Sequence, residues 1–214
     1  MTDLKNTLLI IGGSIVVVLA VIFGLTRMSG TSTTSITSVD QQQLVDGARF
    51  VRDNGETKVS VVTFADIQCP SCKAAKESLK ELETMPGVKY VVRHFPLPPN
   101  IHKHSLISAK AVEAGRVMGK GWEMMNLMFD KQTEWSGINK PERQFVEYAK
   151  SLGLDELKFE EAMNSNEVAV LVQTDASLAN RLQLSGTPTI FVNGELVGAP
   201  FVMEKVKGIL AKGQ

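Results

Sequence analysis

The chain of 214 residues is long enough for one domain of ordinary size plus appendages. Lysine plus arginine equals aspartate plus glutamate at 23 each, so no overall field points to nucleic acid or to an acidic ligand. There are only two cysteines, and they stand together as Cys69-Pro70-Ser71-Cys72, which leaves none for a disulfide framework elsewhere.

From Leu8 to Leu25, 18 consecutive positions carry no charge, between Lys5 and Arg27. As a helix this run is about 27 Å long, close to the hydrocarbon thickness of a bilayer. A cleavable secretory signal is the alternative, but its apolar region is usually about 7–15 residues long. Here the run is longer, and the small-x-small candidate Val18-Leu19-Ala20 lies inside it. Residues 1–27 are therefore expected to be a short tail and a transmembrane signal anchor in contact with membrane lipid. A short N-terminal tail ahead of a long C-terminal part fits a single-pass protein whose residues 28–214 lie on the periplasmic or extracellular side. Export would place the cysteines in an oxidising setting.

Residues 28–38 are rich in Ser, Thr and Gly without apolar periodicity, and read as a linker. The folded domain is expected over 39–214, with Val39 to Val51 supplying an edge strand or a helix. Lys58 to Ala65 is a β-rich stretch of the kind buried on both faces. Pro70 then suits the first turn of a helix that Pro86-Gly87 ends, which makes Cys69 its N-cap. Cys72, Ala75, Leu79 and Leu82 follow helical spacing, so Cys72 heads the buried stripe and Cys69 sits at the exposed tip.

That placement has a chemical consequence. A thiolate at Cys69 would face the amides of Ser71 and Cys72 and the positive end of the helix, with Lys73 and Lys76 adding cationic potential, so its pKa should fall. Cys69 becomes the attacking and leaving sulfur, and Cys72, one turn inward, resolves a mixed disulfide. Two other readings compete. A purely structural bridge closing so short a loop contributes only about 2 kcal/mol in the loop-entropy model. A zinc site lacks a second cysteine pair, and His94, His102 and His104 are not spaced to complete one, so neither metal nor cofactor is expected.

Val88 to Phe95 reads as a second strand, broken by Pro96-Leu97-Pro98-Pro99. Helical periods follow over Ser105–Met118, Trp122–Phe129, Pro141–Leu152, Asp155–Met163 and Asn166–Leu182. The methionines at 118, 124, 125 and 128 are expected mostly in the helix core. Thr189 to Val192 and Glu195 to Val197 flank Asn193-Gly194, a pair suited to a type I′ hairpin turn, and Val202 to Lys212 is a closing helix.

Phe64-Ala-Asp-Ile-Gln-Cys-Pro-Ser-Cys72 resembles the active-site segment of the DsbA-like branch of the thioredoxin superfamily. Arg93-His-Phe-Pro-Leu97, Gly119 to Phe129 and Gly186-Thr-Pro-Thr-Ile-Phe-Val-Asn-Gly194 resemble its later landmarks, in the right order. The resemblance implies an α/β thioredoxin fold with a helical insertion at about 101–183, a redox-active disulfide Cys69–Cys72, and a cis-proline at Pro188 facing it. It further implies that Thr187, with Pro70 and Ser71 at the lip, meets an extended substrate. The expected substrates are exported polypeptides with cysteine thiols, the expected recycling partner is a membrane quinone-linked thiol oxidase, and nucleic acid is not expected. The same fold also supports a reductase or isomerase, and a non-catalytic metal-binding or peptide-binding module is a further alternative. The chain departs from the family pattern twice. Ser71 stands where many relatives carry histidine, and Thr63 stands where they often hold a buried carboxylate that assists proton transfer to the inner cysteine.

Overall fold

The strand expected around residues 58–65 is the centre of the molecule. In the computed structural model, which describes residues 37–212, it is β2 (Val59–Ala65), and all seven of its residues are buried. Its alternating side chains serve two cores. Val59, Val61 and Ala65 face one, shared with Cys72, Ala75 and the helical methionines; Val62 and Phe64 face the other, with Leu44, Val91, Leu178 and Phe191. Continuous β-branched composition is what a strand covered on both faces requires.

The first elements are α1 (Gln41–Val45), capped by the Asp40 side chain, and the edge strand β1 (Phe50–Asp53). After β2, α2 (Pro70–Ser78) leads through a 3-10 turn at Lys80–Glu83 to β3 (Val88–His94). The α-helix thus stops well short of Pro86, where Ser78 donates its hydroxyl back to the Ala74 carbonyl; such local bonding competes with helix continuation. Leu79 and Leu82 remain fully buried across the change.

Six helices follow: α3 (Ser105–Val117), α4 (Gly121–Asp130), α5 (Gln132–Trp135), α6 (Glu142–Ser151), α7 (Glu156–Asn164) and α8 (Asn166–Arg181). Met124, Met125 and Met128 lie in the core as expected from their spacing. Then come β4 (Thr189–Val192), β5 (Glu195–Leu196) and α9 (Val202–Lys212). Between β4 and β5, Asn193 and Gly194 both have positive φ, 48° and 83°, as a type I′ turn demands.

The sheet order is β1-β3-β2-β4-β5, with β2 and β3 parallel and the other pairs antiparallel. Ala65 pairs with His94, and Phe64 with Thr189. This register brings the loop after β2, the loop after β3 and the loop before β4 to one end of the sheet.

Buried charge ties the helices to the sheet. Arg93 of β3 meets Asp175 of α8 at 2.7 Å, and Arg49 meets Asp175 at 3.0 Å and Glu113 of α3 at 2.5 Å. Arg93 also donates to the carbonyls of Leu44 and Asp46, so its guanidinium is paired and hydrogen-bonded as a buried cation must be.

The anchor expected over 1–27 lies outside the described residues, as does the linker apart from residues 37 and 38. Among the described residues no helix is long and apolar enough to cross a membrane.

Candidate active site

Cys69 is the N-cap of α2, with extended backbone (φ −72°, ψ 121°) and Pro70 at the first helical position. Pro70 and Ser71 are exposed at the lip, and Cys72 is buried one turn inward. Both cysteines are free thiols. Cys69 is more covered than a helix tip implies, at 6 % exposure, because the loop before β4 closes over it. The Thr187–Pro188 peptide is cis, and the Thr187 carbonyl lies 3.5 Å from Cys69 Sγ.

The two sulfurs are electrostatically unequal. Cys69 is drawn down to about 5 from an ordinary 9.0, first by a hydrogen bond from Cys72, against the cost of burial, and then by Thr187 and the amides of Cys72 and Ser71. The Cys72 thiol is pushed far up, first because it serves the Cys69 thiolate as donor and then because it is buried. A thiolate that receives donors is stabilised, and a thiol that must give up its proton in an apolar site is not. The lysines expected to help are directed elsewhere. Lys73 Nζ donates to the Asp130 carbonyl at 3.2 Å, and Lys76 Nζ lies 3.5 Å from the Asp130 carboxylate. The helix start and the partner thiol therefore carry the effect. As a neutral thiol, Cys69 makes no capping hydrogen bond through its side chain.

Asp66 is not a solvated loop aspartate, as its position next to a turn suggests; it is buried at 1 % exposure and organises the loop. Its carboxylate accepts from the amides of Gln68 (2.8 Å) and Leu97 (3.1 Å), and His102 Nδ1 lies 2.7 Å from it. Its own amide lies 3.4 Å from Cys72 Sγ, and its carbonyl accepts from the Cys69 amide at 3.1 Å. Gln132 of α5 donates to the carbonyls of Ile67 and Cys69 at 2.8 and 3.0 Å. The Gln68 side-chain carbonyl accepts from the His104 amide at 2.6 Å. Sequence reasoning missed Asp66, Gln68 and Gln132 as site-building residues. No local pattern marked them, since Gln132 stands among Asp130, Lys131, Thr133 and Glu134 like any surface residue.

Behind Cys72 a cavity of about 10 Å³ is lined by Thr63, Tyr90, Asn126 and Phe129 among others. The Thr63 hydroxyl is buried and makes no hydrogen bond. Among the described residues no group of three or more histidine, cysteine, aspartate or glutamate side chains gathers as a metal site would.

The family model described as thioredoxin matches residues 47–212. Of the solved structures that resemble this one, a thioredoxin-like oxidoreductase from Silicibacter pomeroyi DSS-3 has a TM-score of 0.65 at 24 % identity, covering 82 % of this chain and 98 % of its own. BdbD from Bacillus subtilis has a TM-score of 0.63 at 22 % identity, covering 83 % and 97 %. The thiol-disulfide exchange protein alpha-DsbA2 from Wolbachia pipientis has 0.65 at 24 %, covering 78 % and 90 %. Among curated proteins, the Na(+)/H(+) antiporter NhaA 3 of Salinispora tropica is 35 % identical over 168 residues, 78 % of this chain and 25 % of that protein. NhaA 1 of Salinispora arenicola is 36 % identical over 73 % of this chain and 23 % of its own length. The chain therefore spans about a quarter of the length of the curated relatives it matches.

Proposed function

This chain belongs to the thioredoxin family, with a fold shared by DsbA-like thiol–disulfide oxidoreductases, and on that premise we propose that it introduces disulfides into exported polypeptides through Cys69 and Cys72. The observation that carries the reading is the inequality of the two sulfurs beside cis-Pro188: a stabilised thiolate at the outer position, under the loop before β4, and a thiol held protonated behind it. A substrate thiolate attacks Cys69 of the disulfide form, the Cys69–Cys72 bond breaks, and Cys72 leaves and takes up a proton. A second substrate thiolate attacks the substrate sulfur of the mixed disulfide and expels Cys69 as its stabilised thiolate. Two electrons pass from the substrate dithiol to the cysteine pair, one proton ends on Cys72, and the other goes to solvent. The Thr187 backbone, with Pro70 and Ser71, forms the rim that meets the substrate.

Completion of the cycle needs a two-electron acceptor, which we assign to a membrane quinone-linked thiol oxidase. Residues 1–27 supply the anchor that holds the domain on the periplasmic or extracellular side. Sodium–proton exchange is not carried over from the antiporter relatives, since the chain matches only a quarter of them.

Cys69→Ser should abolish oxidation of a reduced peptide, and Cys72→Ser should accumulate mixed disulfides; oxidase activity that persists in Cys69→Ser refutes the assignment. A second reading, a reductase or isomerase, is favoured by Ser71 and by Thr63 in place of a carboxylate beside the inner thiol. Equilibration with glutathione separates the two. A potential near about −120 mV favours donation, and one near about −270 mV favours reduction. A metal-binding module would instead copurify with stoichiometric metal and exchange thiols slowly.

A further inference from the structure

All three polar groups of Asp66 are engaged beside the inner sulfur. Its amide donates to Cys72 Sγ at 3.4 Å, and its carbonyl accepts from the Cys69 amide at 3.1 Å. Its carboxylate, fully buried, takes the Gln68 amide on Oδ1 at 2.8 Å, and on Oδ2 both the Leu97 amide at 3.1 Å and His102 Nδ1 at 2.7 Å. His102 is the one ionisable side chain among these three partners, and it keeps 17 % exposure. A carboxylate held away from water needs its full set of donors. Without the ring the acid takes up a proton or the loop opens, and either change frees the Asp66 peptide.

The arm that delivers the ring is stiff. Leu97 stands in the run Pro96-Leu97-Pro98-Pro99, and the His102 amide donates to the Pro98 carbonyl at 3.0 Å, so one turn presents both groups to the same oxygen. His102 lies three residues before α3, and the Gln68 side-chain carbonyl holds the His104 amide of that turn at 2.6 Å. The entrance to the helical insertion is thereby fastened to the peptide whose N–H faces Cys72.

Cys72 is where charge appears during exchange. When a thiolate attacks Cys69 Sγ of the disulfide form, the Cys69–Cys72 bond breaks and its electron pair stays on Cys72 Sγ. That residue is 2 % exposed, so water contributes little to holding the charge. In the reduced chain Cys69 and burial push the Cys72 thiol up, and the Asp66 amide is among the groups that draw it down. A donor already aimed at a charge that develops in the reaction lowers the barrier without reorganising.

We propose that His102 is a positioning residue: acting through the Asp66 carboxylate, it fixes the Asp66 amide on Cys72 Sγ and so stabilises the thiolate that departs when the disulfide opens, a role that rests on the disulfide-donor reading above.

The test uses the full chain. A small dithiol opens the oxidised form and closes into its own cyclic disulfide as the cysteine pair is reduced. That opening should be about tenfold slower in His102→Ala, equivalent to about 1.4 kcal/mol. His102→Asn, whose Nδ2 can stand where the imidazole Nδ1 stood, should recover the rate to within about twofold. In Cys69→Ala, where Cys72 is the lone thiol, its midpoint is read from the ultraviolet absorbance of the thiolate. The same free energy should raise that midpoint by about one pH unit on adding His102→Ala, and adding His102→Asn should leave it unmoved. If His102→Ala does not fold, Asp66→Asn takes its place, since it keeps the shape and removes the charge. A contact that only supports the fold would lower the urea midpoint and leave the Cys72 midpoint where it was, and that result overturns the proposal. So does an opening rate in His102→Ala within about twofold of the unmodified chain, or a loss that His102→Asn does not recover. If the chain oxidises no peptide, the disulfide-donor reading falls, while the small dithiol and the Cys72 titration still decide the role of His102.

Discussion

The pH dependence of the redox potential gives the sharpest test of the site. With Cys69 titrating at about 5 instead of 9.0, its group is depressed in the reduced fold. The stabilisation it gives the reduced form is absent below pH 5, grows through the interval, and is complete only above pH 9. At pH 7 about two of the four pH units are realised, which at about 1.4 kcal/mol each is about 2.7 kcal/mol in favour of the dithiol form. For a two-electron couple, 1.4 kcal/mol corresponds to about 30 mV, so the potential at pH 7 should lie about 60 mV more oxidising than that of a dithiol with ordinary thiols. The slope is the more robust observable. Below pH 5 reduction takes up two protons, and the potential should fall by about 59 mV per pH unit. Between pH 5 and 8 only Cys72 takes up a proton, because burial and the Cys69 thiolate hold its own ionisation far higher, and the slope should halve to about 30 mV. Equilibration with glutathione from pH 4.5 to 8, with thiols trapped by acid and counted by mass, measures this directly. A slope of about 59 mV sustained to pH 8 would mean that Cys69 ionises as an ordinary cysteine, and the argument from the helix start would fail.

Three further outcomes follow from particular contacts. Thr187→Val removes a hydroxyl that stabilises both thiolates, so alkylation of Cys69 at pH 5–6 should slow, and an unchanged rate–pH curve counts against that role. Asp175→Asn leaves Arg93 and Arg49 short of a buried counter-charge and should cost about 3–5 kcal/mol in urea unfolding, against under 1 kcal/mol for removing the exposed Lys131–Glu134 pair. Gly194→Ala should cost about 1–3 kcal/mol or more by the same measurement. Its φ is +83°, and a Cβ there would stand 2.3 Å from the Val39 carbonyl oxygen.

The parts legible in the sequence were those governed by short-range rules. The run of β-branched residues fixed β2, the proline after Cys69 marked the start of α2, and Asn193-Gly194 marked the hairpin. Less legible were elements whose reasons lie far away in the chain. The edge strand β1 has a mixed burial pattern, because only one of its sides is paired, and α5 is too short to show a period. The burial of Asp66 was illegible for the same reason. The residue follows the end of β2 and opens a turn, while the groups that meet its carboxylate, Leu97 and His102, arrive from beyond β3.

The asymmetry of the thiols is therefore only partly a property of four consecutive residues. The motif alone supplies the helix start and the inner position of Cys72. It does not supply the Thr187 side chain, a donor that lowers the Cys69 pKa and stands beside it because β4 pairs antiparallel with β2 and begins at Thr189, opposite Phe64. Nor does it supply the Asp66 amide at Cys72, which is held in place by a carboxylate fixed to the loop after β3. A peptide containing Cys69 to Cys72 on an isolated helix should keep the dipole and amide contributions and lose those two. Its outer thiol should then titrate between the value in the folded chain and 9.0, and the difference measures what the sheet adds to the chemistry.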